Sequence, residues 1–221
     1  MVTYDEIASM IDHSLLNPIL TDQDIIDGCK IAMEYRVATV CCRPSDVVLV
    51  KKTLENSNVG TTTVIGFPHG TTTTDTKFFE AGEAIKNGCS ELDVVINIGK
   101  HRSGDYEFVK NDLKAVTDLC HRKGILIKVI FENCYLNTEQ KIAACKICNE
   151  IKVDYVKTST GYGSSGATDE DIKLMRSYTN PEIRIKAAGG IRTLERAIEV
   201  RKLGVSRFGA TATVGILERL K

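Results

Sequence analysis

Leu126-Ile127-Lys128-Val129-Ile130-Phe131-Glu132 is apolar at every position except Lys128 and Glu132. A strand with one wet face alternates apolar and polar residues, whereas a run this continuous belongs in a parallel sheet covered on both faces. The flanks agree. Upstream, Val109, Leu113, Val116 and Cys120 recur at helical spacing; downstream, Asn137 with Gln140 three residues later is a helix-start signal. The same unit repeats along the chain. Expected strands occupy residues 10–13, 39–42, 62–66, 92–97, 126–132, 155–159, 183–188 and 206–209. Between them, Ile25, Cys29, Ala32 and Met33 form one helical stripe, and Phe78, Ala81, Gly82 and Ile85 another. Thr21 before Asp22, and Thr168 with Asp171, supply further helix starts. Strict alternation of strand and helix requires parallel strands joined by crossovers. An open doubly wound sheet produces similar local patterns, but eight strands favour closure. The expected fold is α/β, a (β/α)8 TIM barrel, in a single domain over residues 1–221 without a linker.

Composition limits the function classes. Lys+Arg and Asp+Glu both number 29, so no net field draws nucleic acid or an anionic membrane, and an anionic ligand must be held by local groups. The amino terminus lacks a basic start followed by an apolar run, and no apolar stretch approaches the roughly 20 residues that span a bilayer. The expectation is a cytoplasmic protein. Of the eight cysteines, Cys29, Cys41, Cys89, Cys120 and Cys145 fall in apolar segments, as buried thiols in a reducing compartment do. Cys145-Lys146-Ile147-Cys148 has redox-pair spacing, but it lies in a helical pattern with no second pair. The four histidines, His13, His69, His101 and His121, form no metal-binding motif, and the last two read as exposed. No metal and no cofactor are expected.

The informative residues are ionisable groups inside the expected strands. Alternation puts Tyr155, Lys157 and Ser159 on one face, Val156 and Thr158 on the other. Lys186 likewise opposes Ile183, Ile185 and Ala187, Asp93 shares a face with Val95, and Lys128 shares one with Ile130 and Glu132. With the apolar sets against helices, the charges point into the barrel, toward the strand ends where this fold keeps its sites. A buried lysine is costly unless it is paired or gives up its proton. Free lysine titrates near about 10.4 and is not nucleophilic at neutral pH. Desolvation and a neighbouring cation lower that value and expose a lone pair that attacks carbonyls. Lys157 is read as the nucleophile and Lys186 as the depressing cation, although spacing alone does not say which lysine plays which part. The plainer reading is structural ion pairing, Asp93 with Lys186 or Glu132 with Lys128.

Glycine loops follow the expected strands six to eight: Gly161-Tyr162-Gly163-Ser164-Ser165-Gly166, Gly189-Gly190-Ile191-Arg192-Thr193 and Gly209-Ala210-Thr211. Barrels hold phosphate between the last two such loops, on backbone N–H groups. Arg192 offers a bidentate contact there or is an ordinary surface residue.

Val156-Lys157-Thr158-Ser159-Thr160-Gly161 resembles the Schiff-base segment of the deoxyribose-phosphate aldolase family. Lys186-Ala187-Ala188-Gly189-Gly190-Ile191-Arg192-Thr193 resembles its second-lysine and phosphate-loop segment, and Glu91-Leu92-Asp93-Val94-Val95-Ile96-Asn97 the stretch with its aspartate. Ile11-Asp12-His13-Ser14-Leu15-Leu16, Cys41-Cys42-Arg43-Pro44, Gly66-Phe67-Pro68 and Lys128-Val129-Ile130 match further segments in order. The resemblance implies reversible cleavage of 2-deoxy-D-ribose 5-phosphate to acetaldehyde and D-glyceraldehyde 3-phosphate. In it Lys157 forms the imine, Lys186 lowers its pKa, and Asp93 handles the hydroxyl proton through water. It implies substrate or phosphate contacts at Gly161, Gly189, Gly190, Gly209, Ala210, Thr211, Thr158, Cys41 and Lys128. The implied partner is a small phosphorylated sugar, with no nucleic acid or membrane, in a homo-oligomer (dimer or tetramer). Departures from the family pattern are Glu132-Asn133 where many members have Glu-Thr, Tyr162 at a position that sometimes carries a basic phosphate ligand, and Thr211-Ala212 in place of paired serines. The sequence also ends at Lys221 without the terminal tyrosine some members use in proton transfer. Competing readings are an imine aldolase for another donor, a sugar-phosphate isomerase with a carboxylate base, and a barrel that binds a sugar phosphate as an effector.

Overall fold

The computed structural model describes residues 2–221. Its strands are β1 (Ile11–Leu15), β2 (Thr39–Cys42), β3 (Gly60–Ile65), β4 (Glu91–Val95), β5 (Leu126–Ile130), β6 (Tyr155–Lys157), β7 (Arg184–Ala187) and β8 (Val205–Ala210). All neighbours pair in parallel and in chain order, and β8 returns to β1, so the sheet closes into a barrel. Helix α1 (Tyr4–Ala8) precedes β1. Then α2 (Asp22–Glu34), α3 (Val47–Thr53), α4 (Thr74–Lys86), α5 (Ile98–Arg102), α6 (Tyr106–Arg122), α7 (Thr138–Ile151), α8 (Asp169–Tyr178), α9 (Leu194–Lys202) and α10 (Thr213–Leu217) follow the strands in order, one after each strand except β4, which is followed by both α5 and α6. The expected helix starts are real. Thr21 with Asp24 and Asn137 with Gln140 form reciprocal capping boxes, and Thr168 accepts from the Asp171 N–H.

Strand alternation sorts the side chains into two environments. Leu92, Val94, Ile127, Val129, Phe131, Val156 and Ile185 join one continuous apolar cluster with helix residues such as Val116, Cys145, Ile172 and Ala197. The intervening strand residues turn inward, and Asp12, Glu91, Asp93, Lys128, Lys157 and Lys186 are all buried there. The eight cysteines are free. Cys145 and Cys148 are buried within α7, and burial pushes the Cys145 thiol up to about 12, the opposite of a reactive redox thiol. No described helix is long and apolar enough to cross a membrane.

Three expectations need correction. The α4 stripe is turned by one residue: Phe78 is 42% exposed, and the buried face is Lys77, Ala81 and Ala84. Lys77 is tolerated there because its ammonium meets Asp112 of α6 at 2.5 Å and donates to the Val95 carbonyl at 2.9 Å. The Thr74 hydroxyl donates to the other Asp112 oxygen at 2.8 Å. His101 is fully buried rather than exposed, with Nε2 2.7 Å from the Gln140 carbonyl. The Glu132–Lys128 pair does not form. Beyond the end of β5 the chain turns at Glu132 into the left-handed region (φ 55°), which sends its carboxylate to Thr160 instead.

The Lys77–Asp112 pair predicts an asymmetric stability response. Asp112→Leu strands a buried ammonium and should cost about 3–5 kcal/mol, while Lys77→Met/Asp112→Leu recovers most of that loss. Equilibrium denaturation measures both, and equal losses in the single and double variants would contradict the pairing.

Candidate active site

The register of the sheet brings the inward charges together. Lys157 is level with Ile130 on β5 and with Lys186 on β7. Their amines converge on β4: Lys157 Nζ and Lys186 Nζ each lie 2.6 Å from the same Asp93 Oδ2. The two amines therefore stand side by side, bridged by one carboxylate oxygen. Lys186 also meets Asp12 of β1 at 2.5 Å. Lys128 takes the other Asp93 oxygen at 2.8 Å, Glu91 at 2.6 Å and Asp12 at 3.7 Å. Arg207 of β8 closes the network on Asp12 at 2.6 Å and Glu91 at 3.2 Å.

The network divides the two central lysines. Burial pushes Lys157 below its ordinary value and the adjacent Lys186 cation adds to the effect, outweighing the opposing pull of Asp93. Lys186 is held above its ordinary value. Burial acts downward there too, but Asp12 and Asp93 together win. Asp93 is fully buried, which by itself would raise its pKa, yet the ammonium groups of Lys128, Lys157 and Lys186 hold it well below the usual carboxylate range. Asp93 thus stays ionised, Lys186 stays charged, and Lys157 is the amine readiest to be neutral.

A cavity of about 370 Å³ opens above these groups at the carboxyl ends of the strands. Lys157, Lys186, Asp12, Cys41 and Thr160 line its walls and floor, and Gly161, Gly189, Gly190, Arg192, Gly209, Ala210 and Thr211 line its upper part. Gly189 and Gly190 have φ of 82° and 90°, conformations that glycine adopts without strain, so the backbone there is free to curl around an anion. Burial, and secondarily Asp93, push the Cys41 thiol up to about 11, which makes it lining rather than a nucleophile at neutral pH.

Two residues expected to touch substrate do not reach the cavity. Lys128 is level with Tyr155, two residues deeper than Lys157, and is wholly buried among three carboxylates. Thr158 turns to the outer face, where its hydroxyl oxygen accepts from the Ala188 N–H at 3.1 Å and stitches β6 to the chain beyond β7. Asp93 is not among the cavity-lining residues and lies beneath them, its two oxygens held by the amines of Lys128, Lys157 and Lys186. Residues absent from the sequence expectation are Asp12, Ser14, Leu16, Asn17 and Thr160 in the cavity wall, and Glu91 and Arg207 in the charge network. Alternation carried a signal for some of them: Asp12 and Ser14 share a face, as do Glu91 and Asp93.

The DeoC/LacD family aldolase model matches residues 7–211. The chain belongs to this aldolase family. A deoxyribose-phosphate aldolase of Rhodopirellula baltica is 50% identical over 97% of this chain and 89% of its own length. One from Thermococcus kodakarensis is 48% identical over 96% of each. Among solved structures, the deoxyribose phosphate aldolase of Aeropyrum pernix, described as a unique tetramer, superposes with a TM-score of 0.91 at 28% identity, over 98% of this chain and 91% of that one.

Because Lys128 is wholly buried against Asp12, Glu91 and Asp93, Lys128→Met should lower unfolding stability by about 3 kcal/mol or more. Chemical denaturation checks this. A loss below about 1 kcal/mol, the scale of an exposed pair, would contradict the buried network.

Proposed function

We propose that the chain catalyses reversible cleavage of 2-deoxy-D-ribose 5-phosphate to acetaldehyde and D-glyceraldehyde 3-phosphate, through an imine on Lys157. One observation carries the reading: two lysine amines share a single buried carboxylate oxygen at the base of a glycine-rimmed cavity, and only Lys157 is pushed toward its neutral form. The high identity to aldolases of that name supports the substrate.

The neutral Lys157 amine attacks the aldehyde carbon, water leaves, and a protonated imine forms. Removal of the proton from the third-carbon hydroxyl lets the bond between the second and third carbons break. Its electron pair flows into the imine, which is the reason for covalent catalysis here. Glyceraldehyde 3-phosphate departs, the enamine takes a proton at carbon, and hydrolysis returns acetaldehyde and Lys157. Lys186 keeps its charge, depresses the Lys157 pKa and serves in proton transfer. Asp93 orients both amines from below and exchanges the hydroxyl proton through water. The phosphate sits between the Gly189-Gly190 backbone and Gly209-Ala210-Thr211, with Arg192 at the rim. Balanced charge, which draws neither nucleic acid nor an anionic membrane, and the identity to metabolic aldolases support a cytoplasmic enzyme acting on a small phosphorylated sugar. The tetramer of the Aeropyrum pernix relative supports a homo-oligomer.

Borohydride with acetaldehyde should leave an ethyl group on Lys157, read by peptide mass spectrometry, and Lys157→Ala should abolish both adduct and turnover. In Lys186→Leu the depressing cation is gone and Asp93 is less neutralised, so the Lys157 pKa rises and the rate profile moves to higher pH. A shift of about one unit leaves roughly tenfold less free amine near neutrality. An unchanged pH profile would refute the role of Lys186.

A further inference from the structure

We infer that Glu132 is a positioning residue: from outside the cavity, its carboxylate fixes the loop Thr160-Gly161-Tyr162 in the shape that receives the phosphorylated substrate. The inference rests on the aldolase reading above. Glu132 lies just past β5, is 1% exposed and does not line the cavity. Among the described residues the other buried acids, Asp12, Asp46, Glu91, Asp93, Asp112 and Asp171, each meet a lysine or arginine at 2.5 to 2.8 Å. Glu132 forms no such pair. A buried carboxylate without a counter-ion is costly, so hydrogen bonds must supply the compensation. Apart from a thiol contact with Cys134 at 3.9 Å, all of them come from Thr160. The Thr160 N–H donates to both Glu132 oxygens at 3.3 Å, and the Thr160 hydroxyl donates to Oε2.

These bonds set the direction of a short relay. A carboxylate only accepts, so the Thr160 hydroxyl hydrogen is committed to Glu132 and its oxygen is left to accept. That oxygen takes the Tyr162 N–H at 3.0 Å. Thr160, Gly161 and Tyr162 all line the cavity. Gly161, held between two anchored residues at φ 91°, offers an N–H that has no acceptor among the described residues. The next turn of the loop closes over the carboxylate: a Cβ at Gly163 would stand 3.1 Å from Glu132 Cδ. The backbone is strained to aim this side chain. Glu132 sits at φ 55° and ψ 64°, the left-handed region that a residue with a Cβ enters at a penalty. Glycine would turn the chain there with less strain, so what glutamate adds is its carboxylate. Strain of this kind is held at ligand sites by the contacts around it.

Lys157 takes its position from elsewhere. Its amine is held by Asp93 of β4, and its backbone pairs with β5 and β7. The amine at the base and the loop above it are therefore supported separately. In Glu132→Gln one oxygen becomes an NH2 group, which cannot accept from Thr160 and competes with the Tyr162 N–H for the Thr160 oxygen. The relay breaks while the side-chain volume is kept. A shift of about 1 Å in a binding group costs up to roughly a hundredfold, and a loop that slackens without collapsing should lose part of that.

The test compares the purified parent with Glu132→Gln in two assays, turnover of 2-deoxy-D-ribose 5-phosphate and borohydride trapping of acetaldehyde. In the second, the aldehyde condenses with the Lys157 amine and loses water; hydride then adds to the imine carbon and a solvent proton goes to nitrogen. Glu132→Gln should raise KM for the sugar phosphate about tenfold. The ethyl adduct on Lys157, read by peptide mass spectrometry, should form at the parent's rate. Because the carboxylate acts through Thr160, adding Glu132→Gln to Thr160→Val should raise KM far less than adding it to the parent. An unmoved KM in a variant with only a lowered unfolding midpoint is the result of a merely structural role and overturns the inference. So does a loss of adduct as large as the rise in KM, or full additivity with Thr160→Val. Should Glu132→Gln fail to fold, Glu132→Asp keeps the charge but withdraws its oxygens by one methylene, and is judged by the same readouts. Absence of any ethyl adduct in the parent would instead overturn the imine reading itself, a result distinct from an adduct with an unmoved KM.

Discussion

Inside this barrel the bases outnumber the acids by one. Asp12, Glu91 and Asp93 face Lys128, Lys157, Lys186 and Arg207, linked by contacts of 2.5 to 3.7 Å. An uncompensated charge in such a place is expensive, so the set is cheapest when one base gives up a proton. Arginine cannot. Lys128 touches three carboxylates and Lys186 two, whereas Lys157 touches only Asp93. The surplus therefore falls on Lys157, the amine that a carbonyl compound in the cavity would meet.

Topology delivers this arrangement. The acids and bases are spread over β1, β4, β5, β6, β7 and β8, and only closure of the sheet brings β1 and β8 next to each other to complete the ring. Parallel pairing points every strand's carboxyl end the same way, so the loops after β6, β7 and β8 gather over one face. β6 is only three residues long and ends on Lys157 itself. The chain leaves the sheet at once, and the loop begins almost at the reactive nitrogen.

The fold was legible because its signal repeats: strand, loop and capped helix recur with little ambiguity, and errors at single boundaries do not change the count. Lys157, Lys186 and Asp93 were legible because a charge within an apolar strand has few explanations. What strand periodicity supplies is a face, not a depth. Lys128 shares the inward face but sits a layer below the cavity, a fact set by register across β5 and β6. Thr158 follows the face rule and belongs outside, although Lys157 just before it lines the site. Asp12 and Arg207 were harder to see, because their partners lie 195 residues apart in sequence. The α4 error had another source. Lys77 interrupts the apolar periodicity, yet its long aliphatic stem spans an apolar layer and carries the charge to Asp112.

The thiols give the molecule a record of its own opening. Seven of the eight cysteines are buried and only Cys134 is partly accessible, and none is joined to another. In the closed barrel the sulfurs of Cys29, Cys120, Cys145 and Cys148, on the inner faces of helices, are shielded from oxidants. Once helices lift from the sheet, Cys29 on α2, Cys120 on α6 and the Cys145/Cys148 pair on α7 emerge together, each able to find a wrong partner. Heat damage to this chain in air would therefore become chemically permanent even where the unfolding that began it is reversible.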